Sequence, residues 1–148
     1  MKSLSRLLFL CGILSIIACC CEKNSNNLKS TSDDLLRKWI LQSIQDTKTN
    51  QITQFPENVL PKESVTFKDN LVLAFSCICN GGKASYILKS DSIKIYDMTS
   101  TQILCGNQWE GYFTNNLDSA YKYKIDASQL IIYSKGTYNL IFIPLSSK

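Results

Sequence analysis

The sequence predicts a mainly β, α+β domain: an antiparallel sheet of about seven or eight strands, curled into an open or cracked barrel, with one helix packed against it. Three observations predict this. Short runs rich in Val, Ile, Phe and Tyr recur between turn residues from Trp39 to Ile143. One stretch, Cys105 to Leu117, changes to a helical period. The last third is a meander in which Tyr121, Tyr123 and Ile125 alternate with Lys122 and Lys124, and runs from Leu130 to Tyr133 and from Tyr138 to Ile143 follow.

The elements follow in chain order. Lys2 and Arg6 precede an apolar run, Leu7 to Ile17, and Ala18 stands directly before Cys19. That is the order of a lipoprotein secretory signal. The run is too short to span a bilayer as a permanent helix. Residues 1–18 are therefore expected to be removed, leaving Cys19 as a diacylglyceryl-bearing, acylated (palmitate) first residue that ties the protein to a membrane. Residues 19–32 are polar, with Glu22-Lys23-Asn24-Ser25-Asn26-Asn27 in their middle, and predict a solvated tether. Residues 33–148 then form one domain. Ser32 is a good N-cap for a short helical turn at 33–37, and Asp33 and Asp34 suit its start. Trp39 to Ile44 predicts the first strand, and residues 46–63, with Pro56 and Pro61, predict a long loop.

Strands are expected at Ser64–Lys68, Leu71–Cys77, Ala84–Leu88 and Ser92–Tyr96. Asp69-Asn70 and Asn80-Gly81-Gly82 offer the positive-φ positions of tight turns, and Asp91 marks another turn. Cys105, Trp109, Tyr112, Phe113 and Leu117 fall at steps of three and four on one helix face, which ends at about Asn115-Asn116. Pro144 stops the last strand.

Composition excludes several chemistries. There is no histidine, which removes Ser-His-Asp and Cys-His catalysis and His-based zinc sites. Net charge is +4 and falls to +2 when the signal takes Lys2 and Arg6 with it. The charges are mixed along the domain, so no nucleic-acid partner is expected. Of seven cysteines, Cys11 leaves with the signal, and Cys20 and Cys21 neighbour the lipid site. Cys77, Cys79 and Cys105 would meet an oxidising compartment, where pairs become disulfides. Three cysteines allow three pairings. In a strand Cys77 and Cys79 point to opposite faces, so only one of them faces a partner at Cys105. Cys-Ile-Cys without histidine or a second pair is a poor zinc site, so neither metal nor cofactor is expected.

Several landmarks, taken in order, resemble the META/HslJ-type domain family of small bacterial, often exported, proteins. Trp39-Ile40-Leu41 is similar to its opening Trp strand, and Cys79-Asn80 to the end of its Gly-Cys-Asn segment. Thr101-Gln102-Ile103-Leu104-Cys105 resembles Thr-x-Met-Ala-Cys. Glu110, Phe113 and Leu117 resemble Glu-x-x-Phe-x-x-x-Leu, and Tyr123-Lys124-Ile125 with Leu130 resembles the strand pair after it. The departures are Ile78 in place of the Gly of Gly-Cys-Asn, and Ala84-Ser85-Tyr86 where Gly-x-Tyr is usual. The likeness spans about residues 38–143. It implies an open barrel with one helix and a Cys79–Cys105 disulfide, with Cys77 as the alternative to Cys79. It does not imply an enzyme, and it links the chain in a general way to envelope stress and antibiotic tolerance.

The candidate site residues carry plain readings beside sharp ones. Trp39, Trp109, Tyr112 and Phe113 are expected in the core, or lining a slot for a small apolar ligand. Asn80 is a turn residue or a ligand contact. Glu110 caps the helix or bonds to backbone in the barrel mouth, a lone carboxylate without the partner that acid–base hydrolysis needs. The expected function is a non-catalytic, lipid-anchored binding or envelope-maintenance module. The alternative is a lipocalin-like or pilotin-like carrier of an apolar ligand. The expected address is the periplasmic face of the outer membrane, with an envelope protein or a small apolar ligand as partner.

Overall fold

A computed structural model describes residues 33–145, Cys105 and Ala127 excepted. The expected signal and tether, and Cys19 with them, lie outside the described residues. The helical turn covers 33–35 instead of 33–37. Leu35 is fully buried, and its carbonyl accepts from Trp39 Nε1 at 3.1 Å, which fixes the turn to the first strand.

Nine strands and one helix follow. They are β1 (Lys38–Asp46), β2 (Ile52–Gln54), β3 (Ser64–Phe67), β4 (Val72–Ser76), β5 (Gly81–Lys89), β6 (Ser92–Ser100), α1 (Gln108–Asp118), β7 (Ala120–Ile125), β8 (Leu130–Ser134) and β9 (Tyr138–Pro144). The order in the sheet is β2-β1-β3-β4-β5-β6-β7-β8-β9, and β1 also pairs with β9. That last pairing closes eight antiparallel strands into a barrel and leaves β2 as an extra strand on β1. The closing ladder runs from Trp39↔Pro144 to Asp46↔Tyr138, with a bulge between Leu41 and Ser43. The bulge moves the inward set from Trp39 and Leu41 to Ile44.

Closure is thinnest between β6 and β7, which share one registered pair, Ser92↔Lys122. Tyr123 N–H donates to the Asp91 carbonyl at 2.8 Å, Tyr123 Oη donates to the Ser90 carbonyl at 3.2 Å, and Lys122 meets Asp91 at 2.7 Å.

Two expectations need correction. The stretch 46–63 is not all loop: β2 lies in it, paired with Ser43, Ile44 and Gln45 of β1. All three β2 residues are exposed, so no apolar alternation announced it. The second correction concerns the glycines. Gly81 and Gly82 lie inside β5, and no described glycine has positive φ. Left-handed backbone falls on Asn50, Leu71, Ser90 and Asp97, at φ 61°, 59°, 57° and 52°. Gly82 is needed for space, since a Cβ there would strike the Thr99 carbonyl and the Phe75 ring.

The helix starts three residues later than its apolar period suggested. Asn107 is its N-cap, its side chain accepting from Trp109 N–H at 2.9 Å. Trp109, Phe113, Asn116 and Leu117 form its buried face. Phe113 sits between Phe75 and Phe142, 6.3 Å from each ring centroid. Antiparallel connectivity puts the chain entry, the β3–β4, β5–β6 and β7–β8 turns and the end of β9 at one end of the barrel. The 47–63 excursion, the 77–80 connection and α1 lie at the other, here called the helix end.

Candidate functional site

Asn80 organises the helix end. The residue is not at a left-handed turn position; it sits in the connection from β4 to β5, nearly buried. Its Oδ1 accepts from Ile103 N–H at 2.8 Å and from Thr101 Oγ1 at 2.9 Å. Its Nδ2 donates to the Ile103 carbonyl at 2.9 Å and to Glu110 Oε1 at 2.5 Å. Four bonds saturate a side-chain amide. One asparagine therefore ties the β4–β5 connection to the segment after β6 and to the first turn of α1. Thr101 reinforces the tie, since its N–H donates to the Gly81 carbonyl at 3.1 Å.

Glu110 is not alone, as the sequence had suggested. Its Oε2 is buried without a hydrogen-bond partner, and so are both carboxyl oxygens of Glu63, a fully buried residue just before β3. Burial pushes the Glu63 carboxyl up to about 8, and the Glu110 carboxylate adds to the shift. The same two carboxyls act on Cys77: burial first, then Glu63 and Glu110, push its thiol up to about 12. The helix end thus encloses two acids and a thiol. At neutral pH this arrangement holds a proton on Glu63. Glu63 is fully buried, whereas Glu110 is half-buried with its Oε2 turned inward.

Glu63 was missed because it lies in the expected loop. Strand parity was the available signal, for Glu63, Val65 and Phe67 share a face and all three are buried.

Cys77 and Cys79 are not in a strand but in the 77–80 connection, so the opposite-faces argument does not apply. Cys77 is a buried free thiol. Cys79 is not among the free cysteines. Cys105 lies outside the described residues.

The four aromatic candidates are not gathered around one slot. Trp39 and Phe113 are fully buried. Trp39 stands at the chain-entry end with Arg37 stacked 5.0 Å over its ring. Trp109 packs on Phe55 at 4.9 Å and borders a groove of about 330 Å³ with Pro56 and Val59. Tyr112 packs on Tyr138 at 4.9 Å and borders a groove of about 320 Å³. A shallow groove of about 480 Å³ follows the β6–β7 seam, and Ile87, Tyr121, Lys94, Lys135 and Asp118 are among its lining residues. Among the described residues, no group of three or more Cys, Asp or Glu side chains is placed to hold a metal ion, and no helix is long and apolar enough to cross a membrane.

Comparison with known proteins bears on this geometry. The sequence profile described as META domain matches residues 33–147. A Burkholderia xenovorans protein solved by NMR is similar in structure, with a TM-score of 0.61 at 18% identity, covering 79% of this chain and 88% of that one. A DUF4847 family protein from Bacteroides vulgatus is similar with a TM-score of 0.60 at 13% identity, covering 80% of this chain and 99% of that one. At those identities the likeness is one of fold. No curated protein matches the sequence significantly.

Proposed function

This chain belongs to the META domain family, and from that premise we propose that it is a lipid-anchored, exported binding module without catalytic activity, tethered through Cys19 and serving envelope maintenance. The observation that carries the reading is the connection between β6 and α1. Leu104 is fully exposed and Ile103 is 61% exposed, yet Asn80 holds the Ile103 backbone from both sides. A rigidly held, solvent-facing apolar tip fits protein recognition. It lies at the helix end, whereas the chain enters at the other, so a tether of 14 residues (19–32) would present it away from the membrane. We place the protein on the periplasmic face of the outer membrane, with an envelope protein as partner.

A Cys79–Cys105 disulfide belongs to the same reading. Among the described cysteines Cys77 is free and Cys79 is not, and the Asn80–Ile103 bonds bring the two segments together. Such a bridge closes a loop of about 25 residues and is worth roughly 3 kcal/mol.

Site-specific photocrosslinking from position 104 of the full chain, in cells, tests the role. One discrete crosslinked protein, lost in Cys19→Ser and in Ile103→Asp, is the expected result. Crosslinks unchanged by Cys19→Ser would overturn the anchored role.

A further inference from the structure

Among the described residues, the buried side-chain oxygens left without a hydrogen-bond partner are three carboxyl oxygens at the helix end. Buried, unpaired acceptors are costly unless protonated or opened to water. The two acids come from the two segments that close this end. Glu63 ends the 47–63 excursion, and its backbone carbonyl accepts from Leu41 N–H at 2.8 Å. Glu110 lies in the first turn of α1.

We propose that Glu63 and Glu110 form a proton-held latch: the helix end stays shut while Glu63 carries its proton, and the excursion parts from α1 when Glu63 ionises beside Glu110. The groups facing Glu63 make this one-sided. From α1 comes Glu110, whose other oxygen Asn80 holds; from the 77–80 connection comes the Cys77 thiol. From β1 comes the apolar Leu41, whose N–H donates to the Glu63 carbonyl. Lys62, its chain neighbour, makes no ion pair with it among the described residues. Among the described residues a second negative charge here meets no paired cation, and ionising a buried carboxyl is relieved by opening it to water. Asn80 ties the exposed Ile103–Leu104 tip to Glu110, so the latch acts on the tip as well. The pH of the surroundings would set whether the module presents it rigidly.

Cys77 is a built-in reporter. It is buried in the closed state and becomes accessible on opening. The experiment alkylates full-length mature protein with iodoacetamide from pH 6 to 9.5 and measures the Cys77 peptide by mass spectrometry, which separates it from Cys20 and Cys21. Each rate is divided by that of Glu63→Gln at the same pH, which removes the general rise in thiolate. Closed-state electrostatics work against the expected result, because a Glu63 anion would make the Cys77 thiolate scarcer. The expected ratio is near one at pH 6 and rises tenfold or more above about pH 8. A flat or falling ratio overturns the latch. Should Glu63→Gln fail to fold, amide exchange of Leu41 in the wild type decides. After correction for intrinsic rate, its protection drops above about pH 8 if the latch exists and stays constant if it does not.

Discussion

Asn80 makes four hydrogen bonds with one side chain, and its replacement strands groups on two other segments. Asn80→Ala leaves the Ile103 backbone N–H and carbonyl and Glu110 Oε1 without these bonds. At about 1–3 kcal/mol for each group left buried and unpaired, and with partial rescue by water, the expected loss is about 3 kcal/mol in urea unfolding. A loss under 0.5 kcal/mol would mean that the tie is ornamental. The sequence named Asn80 and Glu110 but not their union. Asparagine before two glycines reads as a turn by composition, and only the fold shows that the segment after β6 runs past it. Glu63 was hidden for another reason. A carboxyl at the end of a polar, proline-containing stretch reads as solvated, and the parity that turns it inward is within reach of the strand expected from Ser64 only when carried one residue back.

Among the elements, the alternating or periodic ones were legible. The C-terminal meander and the helix face were read in place, because Tyr123, Leu130, Ile132 and Leu140 bury one face of their strands and Trp109, Phe113 and Leu117 one stripe of theirs. β2 had no such signature, since its stability comes from backbone pairing to β1 alone. The Gly81-Gly82 pair was read as chain reversal, but Gly82 serves the β5–β6 ladder, where it pairs with Ser100 and lies under the Phe75 ring. Gly82→Ala is therefore expected to destabilise by about 1–3 kcal/mol through overcrowding. Gly111→Ala, on α1 with open space around it, should stabilise by about 0.5–1 kcal/mol. Thermal unfolding of the two variants side by side separates steric demand from conformational preference; equal effects would refute the assignment.

At the scale of the whole molecule, the balance of protons makes stability depend on pH with a definite sign. Glu63 holds its proton more tightly folded than unfolded, with a carboxyl near 8 against an ordinary 4.5. Its contribution is complete below about pH 4.5 and is lost as pH rises through 8, at most about 5 kcal/mol by linkage. Asp46, Asp91 and Asp126 run the other way. Backbone hydrogen bonds from Thr49 and Lys48 lower Asp46, the bond and charge of Lys122 lower Asp91, and bonds from Ser128 lower Asp126. Their contributions fade as pH falls through the acid range. The urea midpoint should therefore peak near pH 5 and decline toward pH 9, and Glu63→Gln should remove most of the decline. A wild-type maximum at pH 8 would contradict the assignment. The barrel's closing seam has one more consequence. Trp39 lies opposite Pro144, and Leu145 N–H donates to the Lys38 carbonyl at 3.0 Å, so the domain's two ends leave side by side. A chain reopened at Asp69-Asn70 and joined across those ends by a short linker would keep every ladder, making the domain a natural candidate for circular permutation.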